Sequence, residues 1–143
     1  CWGAQRVDSA MNALPPDGSE DRAGHCRRTA GATLTYTAHA APMQLAFYTG
    51  AQFPTEYRHD AFVAMRGSWN REPASGYEVV RVRFRDGRPE RIEPFLTGFL
   101  EPGGRRYHAR PVGLAVARDG ALLVGDDTNG AIYRVTYDGA AAR

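Results

Sequence analysis

The apolar residues in the last part of the chain form short runs that are separated by turn-forming residues. Residues 112–117 are a compact apolar run, and Asp119-Gly120 after them is a strong hairpin-turn signal. Residues 121–124 form a second run, residues 127–130 favour another turn, and residues 131–137 alternate as a half-buried strand does. Three antiparallel strands with short turns are typical of one blade of a β-propeller.

A related pattern occurs earlier in the chain, as expected if one blade buries its faces against another. Residues 39–47 (HAAPMQLAF) align without a gap with residues 108–116 (HARPVGLAV), at an offset of 69. The second strands align as residues 61–64 with 121–124 at an offset of 60, and the third as 78–84 with 131–137 at an offset of 53. The offsets shrink, so the earlier copy has longer loops between its strands.

The sequence therefore predicts an all-β protein that contains part of a β-propeller. The predicted parts are a leading loop segment (residues 1–35), a blade (residues 36–100) and a last blade with its tail (residues 101–143). The strands expected in the earlier blade are residues 43–48, 61–65, 77–84 and 91–96, with a further outer strand expected at 33–38. Residues 100–106, which are rich in proline, glycine and arginine, are predicted to be a linker to the last blade. About two blades fall short of the roughly four or more that close a propeller, so we expect the C-terminal part of a longer protein. No segment has a convincing helical period.

Composition narrows the function classes. The chain is 43% hydrophobic and 24% charged, as soluble globular domains are. A net charge of +2 with scattered basic residues does not indicate nucleic-acid binding, and no apolar run is long enough for a membrane span. All 18 basic residues are arginine. Without lysine, this chain cannot supply a Schiff base or a lysine general base.

The two cysteines, Cys1 and Cys26, flank a polar loop. A disulfide between them would remove about 3 kcal/mol of unfolded-state entropy and would indicate an oxidising compartment. Two free thiols are the alternative. A metal site is not indicated, because only His25 is near and there is no C-x-x-C pair.

Blade topology places four loops at one end of the predicted strands, namely residues 39–41, 66–76, 108–110 and 126–130. The candidate binding residues on these loops are His39, Arg66, Trp69, Asn70, Arg71, His108 and Arg110. Cationic groups, an aromatic ring and an amide around a channel mouth suit a planar polyanion, since the guanidinium fork matches carboxylates. The alternative is that these are exposed loop residues with structural roles.

Seven motifs in order resemble one known family. They are Ala38-His-Ala-Ala-Pro42, Phe47-Tyr-Thr-Gly50, Phe53-Pro-x-x-Tyr57, Gly67-Ser-Trp-Asn-Arg71, Gly76-Tyr-x-Val-Val-Arg-Val82, Phe95-Leu-Thr-Gly-Phe99 and Arg110-Pro-Val-Gly-Leu-Ala-Val116. They resemble the glucose/sorbosone dehydrogenase family over essentially the whole chain, both cysteines included. The resemblance implies a six-bladed propeller that binds pyrroloquinoline quinone (PQQ) with calcium. It also implies oxidation of aldoses or related aldehydes in the periplasm or outside the cell.

The resemblance also implies roles for single residues. Arg110 looks like the arginine that contacts the cofactor from the last blade, and His39 matches a rim position of the family. Residues 69–71 match the Gly-Ser-Trp-Asn-Arg loop, where either Arg71 or Arg66 could supply charge to a quinone carboxylate or carbonyl. The family pattern often has histidine where this chain has Arg66, which removes a possible neutral proton acceptor.

The catalytic histidine base and the calcium ligands implied by the resemblance belong to earlier blades, outside this chain. Asp126 and Asp127 could suit a hard cation, but a turn-forming pair explains them better. The implied partner is a sugar or aldehyde substrate, and the electron acceptor is not indicated. A non-catalytic propeller that binds a protein or glycan at the same rim is the alternative function. A paralogue that has lost its cofactor is a third, for which Arg66 is the one hint.

Overall fold

The structure, a computed structural model, describes residues 24, 27–28 and 30–139. The chain divides into two compact units, Cys1–Thr33 and Leu34–Arg143. In the first unit, Gly24, Arg27 and Arg28 have helical backbone where the sequence predicted a loop. The predicted Cys1–Cys26 disulfide lies outside the described residues and stays a prediction. None of the described helices is long and apolar enough to cross a membrane.

The second unit contains two antiparallel sheets, each a simple meander. The first has four strands in the order β1 (Pro42–Phe47), β2 (Ala61–Met65), β3 (Glu78–Arg85) and β4 (Arg88–Leu96), with a short 3₁₀ turn at Thr55–Tyr57. The second has three strands in the order β5 (Pro111–Val116), β6 (Leu122–Asp126) and β7 (Ala131–Val135). These are the strands that the hydrophobic pattern predicted, displaced by a few residues at their ends. The all-β prediction is confirmed, and two adjacent sheets are consistent with a fragment of a propeller.

The expected outer strand at residues 33–38 is wrong. Within the described chain this segment is irregular and ends in a turn at Ala38 and His39. His39 and Ala41 have φ angles of 66° and 53°, in the left-handed region that an extended strand does not use. Just before them, the Tyr36 hydroxyl donates a hydrogen bond to the side chain of Glu78. The left-handed backbone that leads into β1 therefore overrides the β propensity of residues 33–38.

The internal repeat is present, but its second strand is shifted by one residue. Leu45 pairs with Val63 in the first sheet, and Leu114 pairs with Val124 in the second. The pairing offset for the second strand is therefore 61 rather than the expected 60. A one-residue shift exchanges the two faces of a strand, so the correction decides which side chains are equivalent.

The main core lies between the two sheets. Phe62 and Val79 of the first sheet pack with Leu114, Leu122 and Val124 of the second. The Gln44 side chain fixes the approach of the sheets, since its Nε2 donates to the Leu114 carbonyl and its Oε1 accepts from the Leu114 amide, both at 2.9 Å.

Tyr48 adds a second tie between the sheets. Its buried hydroxyl donates to the Gly120 carbonyl at 2.7 Å and accepts from the Phe53 amide at 2.9 Å. Gly50 is required beside it, because a Cβ there would lie 2.8 Å from the Cα of Gly120. The two sheets are thus held at a fixed distance and orientation.

Strand β1 carries large apolar side chains that are exposed to solvent, as an interface does. Met43, Leu45 and Phe47 are 56%, 51% and 52% exposed, whereas Leu114, the equivalent of Leu45 in the repeat, is 5% exposed. Within the described chain, β1 therefore exposes apolar side chains at the edge of this face, whereas Val63 and Val80, which lie beside Leu45 on the same face, are buried. A row of large apolar side chains of this kind marks a surface that packs against something else.

We expect the 143-residue chain, expressed alone, to self-associate through this face, and Leu45→Lys to shift it toward monomer. The lysine places a charge in the centre of the apolar row, where desolvating it on association is unfavourable. Light scattering coupled to gel filtration measures the mass. Thr49→Lys is the control, because it adds the same charge at an exposed position without removing apolar area. A monodisperse wild-type monomer that unfolds cooperatively would contradict this expectation.

Candidate functional site

Four loops meet at the end of the sheets where β1 and β5 begin, and we call them the rim loops (residues 39–41, 66–76, 108–110 and 126–130). The amide of Arg66 donates to the Ala41 carbonyl at 2.9 Å, and that of Gly67 donates to the Ala40 carbonyl at 2.8 Å. The Asp127 amide donates to the Arg110 carbonyl at 3.3 Å. The backbone therefore joins the two rim loops of the first sheet to each other, and likewise the two rim loops of the second sheet.

Arg110 links the rim loops of the two sheets through its guanidinium. Its Nε donates to the Arg66 carbonyl at 3.2 Å, and its Nη2 donates to the Gly67 carbonyl at 2.8 Å. The guanidinium carbon lies 5.4 Å from the centre of the Tyr77 ring and 5.2 Å from that of Tyr107. These contacts leave Nη1 as the nitrogen that makes no hydrogen bond within the described chain.

The Gly-Ser-Trp-Asn-Arg loop needs its glycine. Gly67 has a φ angle of +99°, and a Cβ there would lie 2.5 Å from atoms of the Tyr77 ring. The Tyr77 hydroxyl donates to the Ser68 carbonyl, and the Ser68 hydroxyl accepts from the Ser75 amide at 3.0 Å. The loop is therefore held against Tyr77 at its start and closed on itself further along.

A cleft of about 300 Å³ opens between this loop and the segment that precedes β5. Its lining residues are Ser68, Trp69, Arg71, Ala74, Tyr77, Gly104, Arg105, Tyr107 and Arg110. Trp69 is 84% exposed at the cleft, and the Nε of Arg71 is buried without a hydrogen-bond partner in the described chain.

The charge of this cleft is positive. Within the described chain, no carboxylate lies within 4.0 Å of the guanidinium groups of Arg71, Arg105 or Arg110. Arginine remains protonated at any physiological pH, so these charges are permanent. Permanent cations beside aromatic rings suit a flat anionic ligand.

The structure brings three of the seven predicted residues to the cleft, namely Trp69, Arg71 and Arg110. Arg66 instead forms an ion pair with Asp127, with 2.6 Å between Nε and Oδ2. The His108 ring lies 3.5 Å from the Glu101 carboxylate and is mostly exposed. His39 and Asn70 are exposed on the rim loops and do not line the cleft. The cofactor-binding role of all seven stays a prediction.

Sequence reasoning missed Tyr77, Arg105 and Tyr107. Tyr77 belongs to the Gly76-Tyr motif, but no role was inferred for its side chain. Arg105 and Tyr107 lie in residues 100–106 and just beyond, which were interpreted as a linker. The rings of Tyr77 and Tyr107 stack with 5.1 Å between their centres, which places the linker against the site.

Asp126 is a buried carboxylate that holds the backbone of two rim loops, residues 108–110 and 126–130. Its Oδ1 accepts hydrogen bonds from the amides of Arg110 and Thr128, both at 2.9 Å, and its Oδ2 accepts from the Asn129 side chain. Burial raises the pKa of Asp126, but these hydrogen bonds outweigh it, and the pKa lies below its ordinary value. Asp126 thus fixes the backbone that carries Arg110.

The paired carboxylates of this turn are both used by protein groups. Asp126 accepts the hydrogen bonds just described, and Asp127 pairs with Arg66. Among the residues that the structure describes, no three histidine, cysteine, aspartate or glutamate side chains are grouped as metal ligands would be. Asp126 ends β6 and Asp127 begins the turn at residues 127–130, so the turn predicted for this segment starts at the second aspartate.

Comparisons with known proteins place the chain in a family. The model of a family described as TrAA12-like matches residues 4–138. The chain belongs to the TrAA12-like family. A Coprinopsis cinerea protein named pyrroloquinoline quinone-dependent pyranose dehydrogenase is 31% identical in an alignment 123 residues long, and the alignment covers 71% of this chain and 16% of that protein. An uncharacterized protein of Borreliella burgdorferi is 37% identical over 103 residues, covering 71% of this chain and 27% of that protein.

Solved structures agree with the family. The holo form of the PQQ domain of pyranose dehydrogenase from Coprinopsis cinerea matches with a TM-score of 0.56 and 28% identity, over 69% of this chain and 27% of that one. A calcium structure of a Trichoderma reesei family AA12 carbohydrate-active enzyme matches with a TM-score of 0.53 and 26% identity, over 66% of this chain and 24% of that one. This chain spans about a quarter or less of the relatives it matches. The chain is thus related to PQQ-dependent sugar oxidoreductases, while the narrower glucose/sorbosone dehydrogenase assignment stays a prediction.

We expect Asp126→Asn, made in the monomeric Leu45→Lys background, to lower the free energy of unfolding by about 1–3 kcal/mol at neutral pH, because two buried amides lose a charged acceptor. The pKa of Asp126 is lowered in the folded state, so its stabilising contribution is full above the ordinary value of 3.8 and is lost as the pH falls through the folded-state pKa. Urea unfolding at neutral and acidic pH should therefore show a smaller acid dependence in the variant. Asp127→Asn is the control, since its ion pair is partly exposed. Equal losses in both variants would contradict a special role for Asp126.

Proposed function

We propose that this chain is the C-terminal portion of a six-bladed, PQQ-dependent dehydrogenase that oxidises pyranose sugars or related aldehydes. The carrying observation is the cleft in which Arg71 and Arg110 lie beside aromatic rings without a carboxylate partner in the described chain. Membership of the TrAA12-like family supports this choice among anionic ligands. The portion would supply cofactor-contacting rim loops to a longer protein.

The residues of the cleft fit PQQ, which is a flat fused-ring quinone with three carboxylates. The buried Nε of Arg71 lacks an acceptor within the described chain, and Nη1 of Arg110 is the guanidinium nitrogen not used by loop carbonyls. A carboxylate is the acceptor that a guanidinium matches best. The Trp69 ring offers an apolar plate beside these cations. When bound, PQQ supplies a quinone that accepts the hydride removed from the substrate.

Within this function, the residues of this chain bind and orient rather than transfer protons. Arg71 would hold a carboxylate of PQQ, and Arg110 would contribute both a charge and, through its bonds to the Arg66 and Gly67 carbonyls, the position of the loop that carries Trp69. Arg66 is neutralised by Asp127 at 2.6 Å and has no lone pair, so it does not serve as the base. The base and the calcium ligands are assigned to parts of the protein outside this chain. The protein would act in the periplasm or outside the cell.

One observation favours a second function. Trp69 is 84% exposed at the mouth of the cleft, and an exposed indole is a suitable platform for the apolar face of a sugar ring. A non-catalytic propeller that binds a glycan would use the same rim. The fold does not discriminate between the two, because the same architecture carries both kinds of function.

We expect the full-length protein that carries this chain, reconstituted with PQQ and Ca²⁺, to reduce an artificial dye saturably in the presence of a pyranose sugar. The measurement is the initial rate over a panel of aldoses and aldehydes, with PQQ omitted as the control. Absence of quinone-dependent activity with every substrate would contradict the dehydrogenase. Calorimetric binding of an oligosaccharide that Trp69→Ala abolishes would then favour the glycan-binding function.

We expect Arg71→Ala and Arg110→Ala each to raise the Kd for PQQ by about tenfold or more, because each removes a charge-assisted hydrogen bond. The two should differ in stability. Arg110→Ala also leaves the carbonyls of Arg66 and Gly67 without their donor, whereas Arg71→Ala removes no hydrogen bond made by a side chain within the described residues. Fluorescence titration gives the Kd and thermal unfolding gives the stability. An unchanged Kd would remove the substituted arginine from the site.

A further inference from the structure

The segment between the two sheets is an ordered hairpin, which we call hairpin 100–107. Leu100 and Tyr107 form an antiparallel bridge at its base. The Glu101 amide donates to the Arg106 carbonyl, and the Gly104 amide donates to the Glu101 carbonyl, both at 2.9 Å. Its turn uses two left-handed glycines, Gly103 and Gly104, with φ angles of 90° and 69°. The position of the following residue, Arg105, is therefore set by backbone geometry.

Hairpin 100–107 lies against the loop that carries Arg71. A Cβ at Gly104 would lie 3.6 Å from the backbone nitrogen of Ala74, which is ordinary van der Waals contact. The ring of Tyr107 stacks on Tyr77 at 5.1 Å. The hairpin thus forms one wall of the cleft, and Arg105 is on that wall.

We propose that Arg105 is a third guanidinium of the anion site in this cleft, acting with Arg71 and Arg110 on a ligand that carries several carboxylates. The proposal rests on the proposed function in naming PQQ as that ligand. Three permanent cations on two walls match three carboxylates on one flat molecule in number and charge. Arg105 would hold the ligand from the side opposite the Gly-Ser-Trp-Asn-Arg loop.

The distribution of acidic residues around the hairpin supports this role. Glu101, the acidic residue of the hairpin, has its carboxylate 3.5 Å from His108 rather than beside Arg105. The nearby Asp126 and Asp127 are engaged by the Arg110 amide and by the Arg66 side chain. In the described chain, no carboxylate therefore offsets the charge of Arg105, and like charges brought to one cleft repel until an anion enters.

Arg106 provides a matched control. It is adjacent, exposed and equally charged, but it does not line the cleft. In the full-length protein we expect Arg105→Ala to raise the Kd for PQQ about threefold to tenfold, as an exposed charge-assisted contact does, and Arg106→Ala to change it less than about twofold. Fluorescence titration and calorimetry measure the Kd without relying on turnover. Arg105→Lys should keep part of the affinity, because it keeps the charge but loses the fork.

The salt dependence of binding is a second measurement. Raising the ionic strength from about 0.01 M to about 1 M shortens the screening length from about 30 Å to about 3 Å. The Kd of the Arg105→Ala variant should therefore rise less than that of the wild type over this range. If Arg105 had a purely structural role, Arg105→Ala would instead lower the unfolding temperature and leave the salt dependence of the Kd unchanged.

The outcomes separate the two proposals. If the wild type binds PQQ and the Arg105→Ala variant binds it with the same Kd as the Arg106→Ala variant, the role of Arg105 is overturned. The proposed function then stands. If the wild type does not bind PQQ, the proposed function fails, and benzene-1,3,5-tricarboxylate becomes the probe. Binding of that tricarboxylate weakened by Arg105→Ala and not by Arg106→Ala would sustain the anion site, and absence of binding would overturn it as well.

Discussion

The candidate site depends on two hydrogen bonds, which the Arg110 guanidinium donates to the carbonyls of Arg66 and Gly67. Because their donor is charged, these bonds are stronger than hydrogen bonds between neutral groups. Because Arg110 precedes the second sheet and its acceptors follow β2 of the first, the bonds cross between the sheets. The cleft exists at that crossing, so its shape follows from how the two sheets are joined.

This arrangement depends in turn on the core between the sheets. Gln44 and Tyr48 tie the first sheet to Leu114 and Gly120 of the second, away from the rim. The sheets are fixed at these contacts, and the Asp126 carboxylate accepts a hydrogen bond from the Arg110 amide at 2.9 Å. The Arg110 side chain therefore loses little further conformational freedom when its guanidinium reaches the two carbonyls. A ligand that binds Arg110 meets a side chain whose conformational entropy has already been lost, which favours affinity.

Most of the fold could be predicted from the sequence, because alternation and turn signals are local. The strands around Leu45 and Leu114 were found in this way, and the long loops did not obscure them. The expected strand at residues 33–38 failed because left-handed backbone at His39, which local propensity does not report, redirects the chain. The buried Arg81–Asp60 ion pair, at 2.6 Å between Nη2 and Oδ2, was also missed, since partners 21 residues apart leave no periodic signal.

The site was only partly predictable, for a physical reason that its arginines illustrate. Sequence gives the charge of an arginine but not its partner, and the partner decides the function. Arg66 and Arg71 are five residues apart on one loop, yet the first is neutralised by Asp127 and the second keeps a buried nitrogen without an acceptor in the described chain. Arg105, dismissed with its linker, shares the cleft with Arg71 because two glycines turn its hairpin inward. A candidate binding cation is therefore identified by its place in a cleft together with the absence of a carboxylate partner, and only the fold reveals both.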